Sequence, residues 1–273
     1  MTAFSARVGK YVSLVLASAL TLLPIVVIVM ASFKTNEELQ DSGPFDLPSG
    51  LSLANYVTAF TKGRMLEAFA NTTFILLVSV TGTIIIGTMA AYAIDRFEFR
   101  LKKTVVVAFL LATLVPAVTT QVATFQVVNS LGLFNTRGAV IVLFLGTDIV
   151  SIYIFIQFMR SIPKELDEAA VLDGANHVMI YRAIILPLLK PAIATVIIIK
   201  GIAVYNEFYI PFLYMPARDL GVISTSLFRF KGPFGAQWEI IAAGVIIVMI
   251  PTLVVFLALQ RFIYNGFTSG ATK

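Results

Sequence analysis

Six stretches of this chain stay apolar for long enough to cross a lipid bilayer, and that commits the backbone to helix. They run about Tyr11–Phe33, Phe69–Ile94, Thr104–Val128, Gly138–Phe158, Ala183–Tyr205 and Ile240–Ile263. A helix needs about 20 mostly apolar residues to cross the hydrocarbon core. No water reaches a backbone amide there, so a spanning segment must satisfy its own N–H and C=O groups, and a helix does so within one segment. The expected fold is all-α: a polytopic membrane protein with six transmembrane helices and a cytoplasmic helix-turn-helix loop.

Composition agrees. Of 273 residues, 58% are hydrophobic and 13% charged, against about half and a quarter in a soluble domain. The charge deficit is the sharper signal, because a water-facing surface needs those charges. The 22 Phe and 11 Pro suit a bundle of membrane helices better than a soluble enzyme. With no Cys there are no disulfides, thiolate metal sites or Cys nucleophiles. His177 is the single His, too few for a zinc site or a His-based triad. The net charge of +5 comes from scattered bases, which does not suit nucleic acid. No low-complexity segment, soluble domain or internal repeat interrupts the pattern, so residues 1–273 are expected to form a single transmembrane domain. Ala17-Ser18-Ala19 has the look of a signal cleavage site. The apolar run continues past it to Ala31, longer than a signal core, so this stretch is expected to remain as the first span.

Orientation follows from the loops. With the N-terminus inside, the inner side holds Arg7, Lys10, Arg96, Arg100, Lys102, Lys103, Arg160, Lys164, Arg182, Lys190, Arg261 and Lys273. The outer side holds Lys34, Lys62, Arg64, Arg137, Arg218, Arg229 and Lys231, spread over longer loops. Basic residues concentrate in cytoplasmic loops, so both termini are expected in the cytoplasm. Two sizeable outer loops, about Lys34–Ala68 and Asn206–Glu239, carry Gly, Pro and aromatic residues and are expected to be partly folded.

The inner loop before the fifth span is polar and helix-forming. Ser161-Ile162-Pro163-Lys164-Glu165 reads as a helix start, since Pro is tolerated in a first turn and Glu165 and Asp167 suit the positive end of the helix dipole. Gly174 is a stop, because glycine takes positive φ at a helix end. A second helix is expected from near Asn176 towards the membrane, with Pro187 and Pro191 at its entry.

The same loop carries a pattern. Glu168-Ala169-Ala170 is followed by three residues, Gly174, nine residues, and Ile184-Ile185-Leu186-Pro187. This spacing resembles the EAA loop of the membrane subunits of bacterial ABC importers, where a separate ATPase grips the permease. The resemblance implies a mechanical coupler. Ala169, Ala170 and Ala175 would let a partner surface close around it, and Glu168 and Asp173 would accept hydrogen bonds from that partner and set register. The plainer alternative is an ordinary amphipathic helix. The full spacing through Gly174, Leu186 and Pro187 favours the coupler.

Three further strings narrow the resemblance to carbohydrate permeases, and to the second permease subunit of maltose-type importers. They are Gly132-Leu133-Phe134-Asn135-Thr136, then Asn206-Glu207-Phe208 with Pro211-Phe212-Leu213, and the tail Gln260-Arg261-Phe262 to Gly266-Phe267-Thr268-Ser269-Gly270-Ala271. Two residues depart from that pattern: Tyr205 stands where the family has Trp, and Lys200 lies inside the fifth span. The resemblance implies a heteromeric importer in the bacterial cytoplasmic (inner) membrane, in contact with lipid. An external sugar-binding protein delivers cargo, a second permease subunit completes the pathway, and two ATPase subunits hold ATP and Mg. This chain has no G-x-x-x-x-G-K-[ST] phosphate loop. It is expected to bind no cofactor and no metal, to have no catalytic residue, and to meet no nucleic acid.

Lys200 and Asp148 fall inside expected spans. A charge at the bilayer centre costs about 2.5–3.5 kcal/mol on insertion scales, so such residues face protein or water. Two readings are open for Lys200: it lines the pathway, bonding substrate or pairing with Asp148, or it serves a helix–helix or subunit contact. Gln121, with Thr119, Thr120, Thr124 and Gln126, forms a polar cluster in the third span that would suit a sugar or a neighbouring helix. Asn206 and Glu207, near the outer end of the fifth span, are open to three readings: they shape the gate, shape the dock for the binding protein, or anchor the end of the span. His177 is expected to pack or to touch the ATPase. Other functions remain as alternatives: an ABC permease for a non-sugar solute shares the coupler, an ion-coupled secondary carrier would want more intramembrane acids than Asp148, and a membrane-embedded enzyme would need a catalytic set the sequence lacks.

Overall fold

The long apolar runs wind into helices, which satisfy each segment's backbone groups within the segment in lipid. The computed structural model describes residues 2–146, 148–232 and 235–271, with side chains at 8–116, 118–146, 148–232 and 235–257. Along the chain come α1 (Thr2–Phe33), α2 (Asn36–Asp41), α3 (Ala54–Lys62), α4 (Met65–Arg96), α5 (Lys102–Thr113), α6 (Ala117–Ser130), α7 (Arg137–Leu145) and α8 (Ile149–Met159). Then follow α9 (Glu165–Leu172), α10 (His177–Ile180), a π-helical turn over Tyr181–Ile185, α11 (Leu186–Leu188), α12 (Lys190–Asn206), α13 (Tyr209–Tyr214), α14 (Ile223–Ser226) and α15 (Trp238–Ala271). A two-residue antiparallel pair, Lys231–Gly232 with Gly235–Ala236, is the strand found among the described residues.

The expected spans all fall on helix, but not all on one helix each. Val8–Phe33, Met65–Arg96 and Trp238–Leu257 are unbroken and long and apolar enough to cross a membrane. The other three are bent pairs, which makes six if each pair is one span: α5 and α6 at 107°, α7 and α8 at 41°, and His177–Leu188 with α12 at 70°. The sequence reading treated these as continuous, and each break has a local cause. Pro116 has no N–H to donate and pushes the residue before it out of helical geometry, so α5 stops and α6 restarts with Pro116 as its N-cap. Gly146, with ψ 147, leaves α7 extended. Asp148 then starts α8, its Oδ1 accepting from Ser151 N at 3.2 Å. Leu189, with ψ 0, separates α11 from α12. One turn on, Pro191 cannot donate to the carbonyl of Pro187.

The chain packs as two compact units, Met1–Leu66 with Thr225–Ala258, and Glu67–Ser224 with Leu259–Lys273. In the first, Lys34 is 1% exposed and its ammonium donates to Ser42 Oγ at 2.8 Å and Gly43 O at 2.9 Å. Asn55 donates to the carbonyls of Ser32 and Lys34, and Thr35 and Glu38 form a capping box on α2. The outer loop expected to be partly folded is therefore ordered by polar side chains reaching the chain end of α1.

The second unit has two apolar clusters. One gathers Ala91 and Ile94 of α4, Phe155 and Met159 of α8, Ile185, and Val196 of α12. The other gathers Ile75, Val140, Phe144, Val204, Tyr214 and Val222. Gly87 lets α4 approach α8, since a Cβ there would lie 3.0 Å from the buried Phe155 ring.

Candidate coupling site

The loop after α8 folds as the sequence indicates. α9 begins at Glu165, just past Pro163, with Glu165, Asp167 and Glu168 in its first turn. It ends in a Schellman turn: Gly174 N–H donates to Val171 O at 3.0 Å and Ala175 N–H to Ala170 O at 2.9 Å. That closure requires a left-handed residue at the turn, and Gly174 supplies φ +83. Asn176 starts the second arm, its side chain accepting from Met179 N at 2.9 Å. The arm runs through the π turn and α11, which carries Leu186 and Pro187, to Leu188.

The two faces of this loop differ. Ala170 is buried, and Ala175 is half-buried against the same apolar cluster as Ile162, Ile180 and Ile185. The three alanines expected at a partner surface are placed differently. Helix periodicity turns Ala170 inward, where the Schellman closure brings Ala175 onto it, and Ala169 alone of the three is exposed. Outward stand Glu168, Asp173 and Gly174, with Leu172 at 88% exposure and Val171, Val178 and Met179 also exposed. Apolar side chains at a tip rimmed by acids are the pattern of a surface built to be covered.

Both arms are fixed to the end of α4. The Arg96 guanidinium meets Asp167 Oδ2 through Nε at 2.7 Å and Asp95 Oδ2 through Nη1 at 2.9 Å. Its Nη2 donates to Ile162 O at 3.0 Å. The second arm is held by rings: Tyr92 lies 5.5 Å from Tyr181 and 5.7 Å from Phe97, and Phe97 lies edge-on to His177 at 5.0 Å. Thr88 and Tyr181 share a hydrogen bond at 2.8 Å. His177 therefore packs, one of the two roles expected for it. Sequence reasoning counted Arg96 and Asp167 only as a loop charge and a dipole partner, and nothing local links residues so far apart.

Lys200 pairs with Asp148, Nζ to Oδ2 at 2.8 Å, with side chains 16% and 15% exposed. Glu207 Oε1 accepts from Tyr209 N and Ile210 N at the start of α13. Asn206 donates back to Ile202 O within α12, and Gln121 is half-buried on α6. A small apolar cavity lies among Thr72, Ile75, Phe144, Val204, Tyr205 and Pro211, with room for about one water. None of the five pathway candidates lines it.

The first of the family strings meets the residues that follow the second. Asn135, at φ +59, donates through its backbone N–H to Tyr214 O at 2.9 Å, and its side-chain oxygen accepts from Ala217 N at 3.0 Å. Asn71 and Thr72 of α4 hold the next stretch, Asn71 donating to the carbonyls of Asp219 and Gly221 and Thr72 accepting from Ile223 N. The side chains of the tail string from Gln260 to Ala271, and Lys273 itself, lie outside the described residues.

The fold and this site define a class: an all-α, polytopic membrane protein with an exposed helix-turn-helix leading into a bent span. Residues 83–268 match the family described as binding-protein-dependent transport system inner membrane component, and the chain belongs to that family. It is 30% identical over 255 residues to the melibiose/raffinose/stachyose import permease protein MelC of Bacillus subtilis, covering 92% of this chain and 91% of that one. It is similar to the probable starch degradation products transport system permease protein AmyC of Thermoanaerobacterium thermosulfurigenes, 30% identical with 98% of each chain covered. It is also 31% identical to the trehalose transport system permease protein SugB of Mycobacterium tuberculosis, over 92% of both chains. Its fold matches a chain in the crystal structure of a bacterial ABC transporter involved in the import of the acidic polysaccharide alginate. That match has a TM-score of 0.82 at 21% identity and covers 94% of this chain and 97% of that one.

Proposed function

We propose that this chain is a permease subunit of an ATP-driven importer of a sugar or oligosaccharide, and that its helix-turn-helix is the coupler. It acts as one transmembrane domain of six spans with both termini in the cytoplasm of a bacterial cell. An external binding protein delivers the cargo, a second permease subunit shares the pathway, and two ATPase subunits carry ATP and Mg. This chain does no chemistry itself.

One observation carries the coupling role. The tip at Leu172, Asp173 and Gly174 is exposed, while the turn beneath it is locked by two backbone bonds and both arms are anchored on α4. A rigid projection fixed to a span passes an applied displacement into the membrane. The sugar-transport names of the similar permeases support the cargo class. Energetically, nucleotide and loaded binding protein must favour one permease state over the other, by about 5.5 kcal/mol to move an equilibrium from 1:99 to 99:1.

The test uses the assembled transporter in proteoliposomes. Glu168→Lys reverses a charge at the exposed face. Gly174→Pro cannot reach φ +83 and removes the bond to Val171 O. Both are expected to insert normally and to hydrolyse ATP without importing sugar. Wild-type import by both variants would refute the coupling role.

A further inference from the structure

We infer that Arg96 is a positioning residue that makes α9 and α4 move as one body, an inference that rests on the coupling role proposed above. Arg96 closes α4, a helix of 32 residues, and its side chain is only 6% exposed. Its nitrogens meet three oxygens from three places: Asp95 on its own helix, Ile162 in the turn before α9, and Asp167 in the first turn of α9. Of the three acids in that turn, Glu165 and Glu168 are exposed, whereas Asp167 turns inward to 17% exposure.

The chemistry of the cation matters. A guanidinium is planar and always charged, and it presents its donors in a fixed fork, whereas a lysine ammonium is a single point on a flexible stem. The fork bonds a carboxylate on α4 through Nη1 and the carbonyl of Ile162 through Nη2, and it sets Nε against Asp167 on α9 as a close ion pair without an aligned hydrogen bond. At this low exposure the pair is little screened, and removing either charge leaves the other uncompensated. The ring contacts on the second arm are tilted or edge-on and involve no residue of α9. Arg96 supplies the tether to α9.

The readout is ATP hydrolysed per sugar imported by the assembled transporter, with membrane yield measured separately. R96Q and D167N are each expected to raise that ratio about fivefold, the change that roughly 1 kcal/mol makes in a two-state ratio. R96Q/D167N together should do no more than either alone, because one tether is lost once. The exchange R96D/D167R, which puts the cation on α9 facing acids on α4, should bring the ratio back towards wild type. R96K keeps the charge between the acids, so it covers the case in which R96Q fails to assemble, and it too should raise the ratio.

A wild-type ratio in R96K, additive effects of R96Q and D167N, or import and hydrolysis falling in constant proportion would each overturn the inference. Glu168→Lys separates the two levels. If it uncouples while the Arg96 variants keep a wild-type ratio, only the tether fails. If Glu168→Lys and Gly174→Pro both leave coupling intact, the coupling role itself fails.

Discussion

Asp148 does two things with one carboxylate. Its Oδ1 caps α8 and its Oδ2 holds Lys200. Lys200→Met should destabilise the chain by about 3–5 kcal/mol, because a mostly buried carboxylate is left without its cation. Lys200→Met with Asp148→Asn should recover much of that loss, since the amide oxygen still caps α8 and no charge is stranded. Thermal unfolding in detergent checks the order, with the double variant more stable than Lys200→Met alone. Sugar uptake by the double variant tests the pathway role: uptake and substrate choice at wild-type level would remove it. The pairing was one of the options legible in the sequence, because two charges in apolar runs need partners. The cap was not legible, because it exists only where the fourth span breaks.

At the scale of elements, the helix-turn-helix was readable because its signals are local. Gly174 needs positive φ, Asn176 caps three residues ahead, and Pro163 lies next to a helix start. Which face of α9 turns inward was not readable, since packing decides it, and Ala170 lies against the apolar cluster. The break at Gly146 was hidden in a run long enough to cross in one piece, with Asp148 as its one charge. Close approach of α4 and α8 is likewise a tertiary fact written in one missing methyl. Gly87→Leu would drive a side chain into the buried Phe155 ring, and an overpacked core costs about 1–3 kcal/mol. The expected result is a lower unfolding temperature in detergent, with Gly87→Ala milder than Gly87→Leu. Equal stability of Gly87→Leu and wild type would mean that α4 and α8 do not pack this tightly.

At the scale of the molecule, the proposed orientation is open to direct chemistry because the chain has no Cys. Leu47→Cys and Ala169→Cys each place one thiol at an exposed position. A membrane-impermeant maleimide added to intact cells with a permeable outer envelope should label position 47 and spare position 169, and inverted vesicles should reverse the result. The number and place of the apolar runs came from the order of residues along the chain alone. The division into two packed units and the clasp of Asn135 on Tyr214 and Ala217 did not, since both depend on contacts between distant parts of the chain. The Lys200–Asp148 pair has one more consequence, and it is electrical. A lone charge displaced through the full membrane field exchanges about 2.3 kcal/mol per 100 mV with it. Two opposite charges 2.8 Å apart that travel together exchange almost none, so while the pair holds, any displacement of Lys200 is nearly blind to the voltage across the membrane.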